Sequence, residues 1–187
     1  MTTVSRTASR IPLPAVIMPT DLARLSDPAA AAARLPTGAA VILRDRHHPE
    51  RRAWAERLRR ATAARGQMLL IANDPDLARA VDADGLHLAE REVGRVAPWR
   101  FITAAAHSLA AIRRAELVRA DAVLLSPVFP TASHPGGRTL GLQRARAIAR
   151  AAGLPVYAMG GVDPGNVRLL GPAFAGFAAI EAFLQTQ

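Results

Sequence analysis

The stretch from Asp121 to Gly161 constrains the fold more than any other part of the chain. It holds two apolar runs, Asp121-Ala-Val-Leu-Leu-Ser and Pro155-Val-Tyr-Ala-Met-Gly-Gly, separated by a Gly- and Pro-containing loop (127–141) and an amphipathic segment from Leu142 to Ala152. Two buried strands joined through a helix cannot form a hairpin; they make a β-α-β unit with parallel strands. The loops that leave both strands then emerge at one end of the sheet, the end at which α/β proteins bind ligands. Gly160-Gly161 stands just before Asp163-Pro164, an N-cap and first-turn signal for a further helix. Bare backbone N–H groups beside a helix N-terminus would cradle a phosphate, although a tight strand-to-helix turn uses the same pair of glycines.

The same rhythm runs along the rest of the chain. Pro14-Ala-Val-Ile-Met, Ala39-Ala-Val-Ile-Leu, Gln67-Met-Leu-Leu-Ile-Ala, Gly85-Leu-His-Leu and Phe101-Ile-Thr-Ala-Ala-Ala read as earlier strands, and Phe174 to Ile180 as the last. Helix signals lie between them: Ser26-Asp27-Pro28 opens a helix to Leu35, Pro49 one to Ala64, Pro75-Asp76 one to Val81, His107-Ser108 precedes one to Arg119, and Asp163 to Leu170 supplies another. In the Pro49 helix, Trp54, Leu58 and Ala61 recur at helical spacing and predict its buried stripe. This alternation gives either a closed (β/α)8 barrel or an open doubly wound sheet. No G-x-G-x-x-G follows the first strand, which favours an α/β, compact (β/α)8 TIM barrel, trimmed below the roughly 250 residues usual for that fold. The expected organisation is a flexible, basic N-terminal tail over residues 1–12 and a single barrel domain over 13–187.

Charge narrows the choice of partner. A net charge of +9 invites a nucleic-acid reading, yet all 24 basic residues are Arg, dispersed through Ala-rich helices with no dense basic run interleaved with aromatics. Nucleic acid is therefore not the expected partner. Without Lys, any phosphate contact must come from Arg, His, hydroxyls or backbone. The absence of Cys removes disulfides and thiolate metal sites and is compatible with a reducing cytoplasm, the expected location. No apolar run approaches the roughly 20 residues that span a bilayer, and the basic N-terminus lacks a signal-type apolar core, so no membrane association is expected.

The strand exits gather Asp21, Arg44, Arg46, Asn73, Asp74, Glu92, His107, Thr131, Ser133, His134, Gly160 and Gly161 on one surface. Arginines from one strand, carboxylates from the next, and hydroxyls with Gly-Gly from the sixth and seventh suggest a divalent cation shared with phosphate or diphosphate, because Mg²⁺ is usually held by one or two carboxylates plus substrate oxygens. His107 could shuttle a proton at neutral pH, or be a structural His hydrogen-bonded under its loop. His87, in mid-strand, reads as core. His47, His48 and Glu50 read as solvated helix-start residues.

These pieces, in this order, resemble a known family over nearly the whole chain, from Val16 to Phe183. Thr20-Asp21, Leu43-Arg44-Asp45-Arg46, Asn73-Asp74, Ala83-Asp84-Gly85-Leu86-His87-Leu88, Ala106-His107-Ser108, Ser126-Pro127-Val128-Phe129-Pro130-Thr131, Leu140-Gly141, Met159-Gly160-Gly161-Val162 and the Gly176 strand are similar to the thiamine phosphate synthase and thiazole tautomerase family. The resemblance implies a barrel enzyme of thiamine biosynthesis that joins hydroxymethylpyrimidine diphosphate to thiazole phosphate, giving thiamine phosphate and diphosphate. Its partners would be small phosphorylated thiamine precursors, with homo-oligomerisation left open. It further implies that Arg44, with Arg46, holds diphosphate, that Asn73, Asp74 and Glu92 belong to the diphosphate and Mg²⁺ site, and that Thr131, Ser133, His134, Gly160 and Gly161 contact substrate phosphate. The tautomerase relatives use a His as acid/base without metal, a role His107 would fill; a non-catalytic precursor-binding barrel is the third alternative. The chain departs from the synthase pattern at Ile42 (usually Gln), Arg46 (Lys), Glu92 (Asp), Ala105 (Ser), Ser133-His134 (Thr-Lys) and Glu181 (Ser in the phosphate cradle). A carboxylate at Glu181 facing the cradle would repel phosphate.

Overall fold

Strands β1 (Val16–Pro19), β2 (Ala40–Leu43), β3 (Met68–Ala72), β4 (Gly85–Leu88), β5 (Ile102–Ala106), β6 (Ala122–Leu125), β7 (Val156–Met159) and β8 (Gly176–Ala178) follow one another around a closed parallel barrel. The computed structural model describes residues 12–94, 99–131 and 136–180, so residues 1–11 of the expected tail and Glu181 lie outside the described residues. Closure is made by β8 pairing with β1, with Ile17 against Ala178, which rules out the open sheet. Helices α1 (Pro28–Ala32), α2 (Arg51–Ala63), α3 (Pro75–Ala80), α4 (Leu109–Leu117) and α5 (Leu142–Ala151) supply crossovers. Among the described residues, no helix is long and apolar enough to cross a membrane.

Period-two alternation divides each strand between two cores. Ile17, Ala40, Ile42, Leu70, Ala72, Ala122, Leu124, Tyr157 and Ala178 fill the barrel interior. Their neighbours Met18, Val41, Leu43, Leu69, Ile71, Leu86, Leu88, Val123, Leu125, Val156 and Ala158 pack outward with Leu58, Ala78, Ile112 and Ala145 of the helices. The strands are buried on both faces, which is why they read as continuous apolar runs.

Helix starts follow the sequence signals. Asp27 accepts from Ala29 and Ala30 N–H, Asp74 from Leu77 N–H and Ser108 from Ala111 N–H, each satisfying donors that a helix leaves open. The α2 stripe differs from expectation: Ala55, Leu58 and Thr62 are buried, whereas Trp54 and Ala61 are half-buried. Trp54 sits at the helix edge under the Arg57 guanidinium, 4.2 Å from its ring centre, an amphipathic contact that suits partial exposure.

The expected helix over Asp163 to Leu170 does not form. Asp163 Oδ1 accepts from Gly165 N–H (2.7 Å) and Asn166 N–H (3.0 Å), closing a turn, and only short 3₁₀ turns follow at Val167–Leu169 and Gly171–Ala173. Gly165, Asn166 and Gly171-Pro172 leave too short a run of good helix formers to offset the cost of a nucleus. Arg146 of α5 caps these turns, donating to the carbonyls of Leu170 (3.2 Å) and Leu169. The lower end of the barrel is closed by Tyr157, whose buried hydroxyl donates to Pro14 O at 2.7 Å. Desolvation pushes that phenol up to about 12.

Candidate active site

Extending the inward-facing alternation past the strand ends gives the site. Pro19 follows Ile17, Arg44 follows Ile42, Ser126 follows Leu124, Met159 follows Tyr157, Gly161 follows Met159, and Ile180 follows Ala178, each by two residues. All of them line one cavity of about 330 Å³ at the C-terminal rim, shared with Arg24, His107, Thr131, Arg138, Thr139, Gly160 and Ala178. Its floor is apolar, from Met159, Ala178, Ala179 and Ile180, while the upper wall carries guanidinium, imidazole and hydroxyl groups. Such a space suits a small organic group with an anionic end.

Of the sequence candidates, Arg44, His107, Thr131, Gly160 and Gly161 meet at this cavity. Arg46, Asn73, Asp74 and Glu92 leave the same rim but are not part of its lining; Ser133 and His134 lie outside the described residues. Arg24, Ser126, Arg138 and Thr139 line the cavity without having been selected. Strand parity alone would have found Ser126. Arg24, Arg138 and Thr139 belong to loops after β1 and β6, whose course the sequence does not specify.

Arg44 is fixed by its neighbours. Its Nη2 lies 3.0 Å from Asp21 Oδ2, and its backbone N–H donates to Thr20 Oγ1 at 3.0 Å. Thr20 in turn donates to Asp45 Oδ2 (2.5 Å), while Asp45 Oδ1 accepts from Leu22 N–H (2.9 Å). Asp45 therefore binds the β1 loop to the β2 exit, leaving Arg44 to face the cavity.

At the β3 exit, Asn73 adopts a positive φ of 52° and accepts from Ala89 N–H at 2.7 Å, tying this loop to the β4 exit. Asp74 does more local work than a rim carboxylate needs to. Oδ1 caps α3 through Leu77 N–H (2.9 Å) and Oδ2 pairs with Arg51 Nη1 (2.6 Å), while Arg51 Nη2 donates to Ala72 O (2.7 Å). Burial lowers the pKa of Arg51, and the Asp74 charge offsets part of that shift. Glu92 pairs with Arg91 at 3.5 Å.

His107, at the β5 exit, is joined to Glu90, a residue without a local signal of its own. Glu90 Oε2 lies 2.8 Å from His107 Nδ1 and accepts from His107 N–H at 3.1 Å; Glu90 Oε1 pairs with Arg114 Nη2 at 2.6 Å. Desolvation pushes the Glu90 carboxyl up, but the His107 hydrogen bonds and the His107 and Arg114 charges outweigh it and hold the group below the usual range.

Gly160 and Gly161 have φ of 87° and 65°, and a Cβ on Gly161 would stand 2.1 Å from Pro130 O. The β6 loop presses on the pair, with Val128 N–H donating to Met159 O (2.9 Å) and Phe129 N–H to Gly160 O (3.0 Å). Close backbone approach thus accounts for both glycines and brings Thr131 over the cavity.

His87 is buried inside the barrel, its Nδ1 2.9 Å from Thr103 Oγ1. Desolvation, with a smaller effect from the Arg44 charge, lowers its pKa from 6.5 to about 4. The unfolded chain therefore binds a proton more readily than the folded one, and stability falls as pH drops from 6.5 to about 4. The expected loss is about 3 kcal/mol. Urea titrations across this window should show a shallower acid limb for His87→Gln; an unchanged slope would exclude His87 as its source.

The family profile described as thiamine monophosphate synthase matches residues 15–183. A thiamine-phosphate synthase of Methanoculleus marisnigri is 39% identical over 158 residues, covering 79% of this chain and 71% of the relative. That of Pyrococcus furiosus is 31% identical over 153 residues, covering 78% and 74%. A solved thiamine phosphate pyrophosphorylase from Pyrococcus furiosus superposes with a TM-score of 0.75 at 27% identity, covering 92% of this chain and 88% of that one. With a matching profile over residues 15–183 and a closed barrel of eight parallel strands, the chain belongs to the thiamine monophosphate synthase family.

Proposed function

We propose that this chain is a thiamine-phosphate synthase-like transferase, joining hydroxymethylpyrimidine diphosphate to thiazole phosphate in the cytoplasm. The observation that carries the reading is the rim cavity, with an apolar floor and an Arg44, Thr131 and His107 wall, in a barrel of this family. The pyrimidine methylene C–O bond breaks, its electron pair leaves with diphosphate, and the thiazole nitrogen lone pair forms the new C–N bond. Arg44, held by Asp21, stabilises the charge gathering on the departing diphosphate, with Arg46 and Asn73 nearby on the rim. Thr131, Arg138, Thr139 and the Gly160-Gly161 backbone hold the thiazole phosphate, and the apolar floor receives a ring.

The residues fit Mg²⁺ only as a cation shared with substrate. Among the described residues there is no group of three or more carboxylate, imidazole or thiolate ligands, but Asp74 retains lone pairs beyond its cap and ion pair, and Glu92 adds hard oxygens. Bound there, Mg²⁺ would neutralise diphosphate charge. A product assay with both substrates, with and without Mg²⁺, is expected to yield thiamine phosphate only with the metal; no product under either condition would reject the synthase reading. The Glu90–His107 pair favours thiazole tautomerisation as a second reading, in which His107→Ala abolishes activity and no metal is required.

A further inference from the structure

We propose that Glu90 is a positioning residue that acts through His107, fixing the imidazole so that Nε2 is the nitrogen turned toward the cavity. The proposal rests on the synthase reading, but it stands on contacts that neither the reaction nor the family resemblance assigns. Glu90 Oε2 takes both the ring Nδ1 (2.8 Å) and the backbone N–H (3.1 Å) of His107, so ring and main chain are held by one oxygen. The other oxygen pairs with Arg114 of α4 at 2.6 Å, which prevents the carboxylate from rotating away. Glu90 itself is anchored from behind. It opens the 3₁₀ turn Glu90–Glu92, and the preceding Ala89 N–H donates to Asn73 Oδ1 at 2.7 Å. Arg114, Glu90 and Asn73 thus connect the β3, β4 and β5 exits, and the side chain delivered to the cavity at the end of this chain of contacts is His107.

The chemistry follows from imidazole having two distinct nitrogens. A carboxylate accepting from Nδ1–H selects that tautomer and sets the ring plane, leaving Nε2 for a ligand. The carboxylate makes the contact to the ring and not to the substrate, so its removal should slow turnover without weakening the capture of diphosphate by Arg44.

The test uses the full chain and reads two signals. The first is the ring ¹⁵N spectrum of His107, assigned by loss of its signal in His107→Asn and recorded at about pH 9, well above the ordinary imidazole range. The unmutated protein should show Nδ1–H, and Glu90→Ala should shift the ring to Nε2–H or a mixture. The second is steady-state formation of thiamine phosphate. In Glu90→Ala, kcat should fall by on the order of 10- to 100-fold with KM changed less than about twofold. Glu90→Gln, whose amide oxygen can still accept from Nδ1–H, should recover part of both signals and also guards against a folding defect in the alanine variant. An Nδ1–H signal that persists in Glu90→Ala, or a kcat that stays within about twofold in an active enzyme, overturns the proposal. If the unmutated chain forms no product, the synthase reading falls, and the ring spectrum alone still decides whether Glu90 sets the tautomer.

Discussion

Arg44→Ala is expected to lower kcat/KM for thiamine phosphate formation by on the order of 10²- to 10³-fold, the loss typical of removing one preorganised donor from a developing anion. The side chain faces the cavity, is 45% exposed, and is aimed by Asp21 and not packed into either core, so its truncation leaves no void. The melting temperature should therefore stay near that of the unmutated protein. Arg44→Lys should recover only part of the activity, since an ammonium lacks the planar fork that matches phosphate oxygens. An internal check is available in His87: desolvation dominates its lowered pKa, but Arg44 is the second cause, so the imidazole should titrate higher in Arg44→Ala. A loss of activity below about threefold would remove Arg44 from the diphosphate site.

The second large effect is on stability. Taken from sequence alone, a rim carboxylate such as Asp74 should be removable at little cost to the fold. The structure corrects that expectation: Asp74→Ala deletes the α3 cap to Leu77 and strips the counter-charge from Arg51, whose side chain is only 11% exposed. Loss of a cap costs about 1 kcal/mol, and an uncompensated, largely buried guanidinium costs more, so a total of about 3 kcal/mol is expected from urea unfolding. Asp74→Asn keeps a capping oxygen but loses the counter-charge, so it should recover only the cap's share, about 1 kcal/mol. It is thus the variant with which to measure the Mg²⁺ requirement, because a loss of turnover in Asp74→Ala would mix metal chemistry with unfolding. Equal stabilities for the two variants would show that the Leu77 cap contributes nothing.

The barrel was legible because its strands are apolar on both faces and its helix starts carry their own caps: Asp27, Asp74 and Ser108 each stand where the backbone needs an acceptor. The segment after Asp163 shows the limit of that signal. Asp163 caps a turn in the same way, yet a cap cannot extend a helix through Gly165, Asn166 and Gly171-Pro172. At the site, Arg44 and His107 were readable as charged or titratable residues directly after a strand. Glu90 was not, since nothing local distinguishes it from Glu92; the difference is made by His107 and Arg114, which come from elsewhere in the chain. Likewise, the Gly160-Gly161 pair suggested a phosphate cradle, whereas the need for glycine comes from a loop that begins more than thirty residues earlier and packs Pro130 against Gly161.

The Tyr157 hydroxyl that seals the lower end against Pro14 has a kinetic consequence. With the interior below filled by Ile17, Leu70, Leu124 and Tyr157, the described residues close the chamber at its lower end, and traffic is expected to pass the rim that carries Arg44 and Thr131. Traffic past one rim is sequential: a diphosphate lingering there would block both the exit of the finished product and the entry of the next pyrimidine. Added diphosphate should accordingly inhibit in competition with the pyrimidine substrate, and the speed of a full catalytic cycle is then set as much by how quickly the doorway clears as by the bond made behind it.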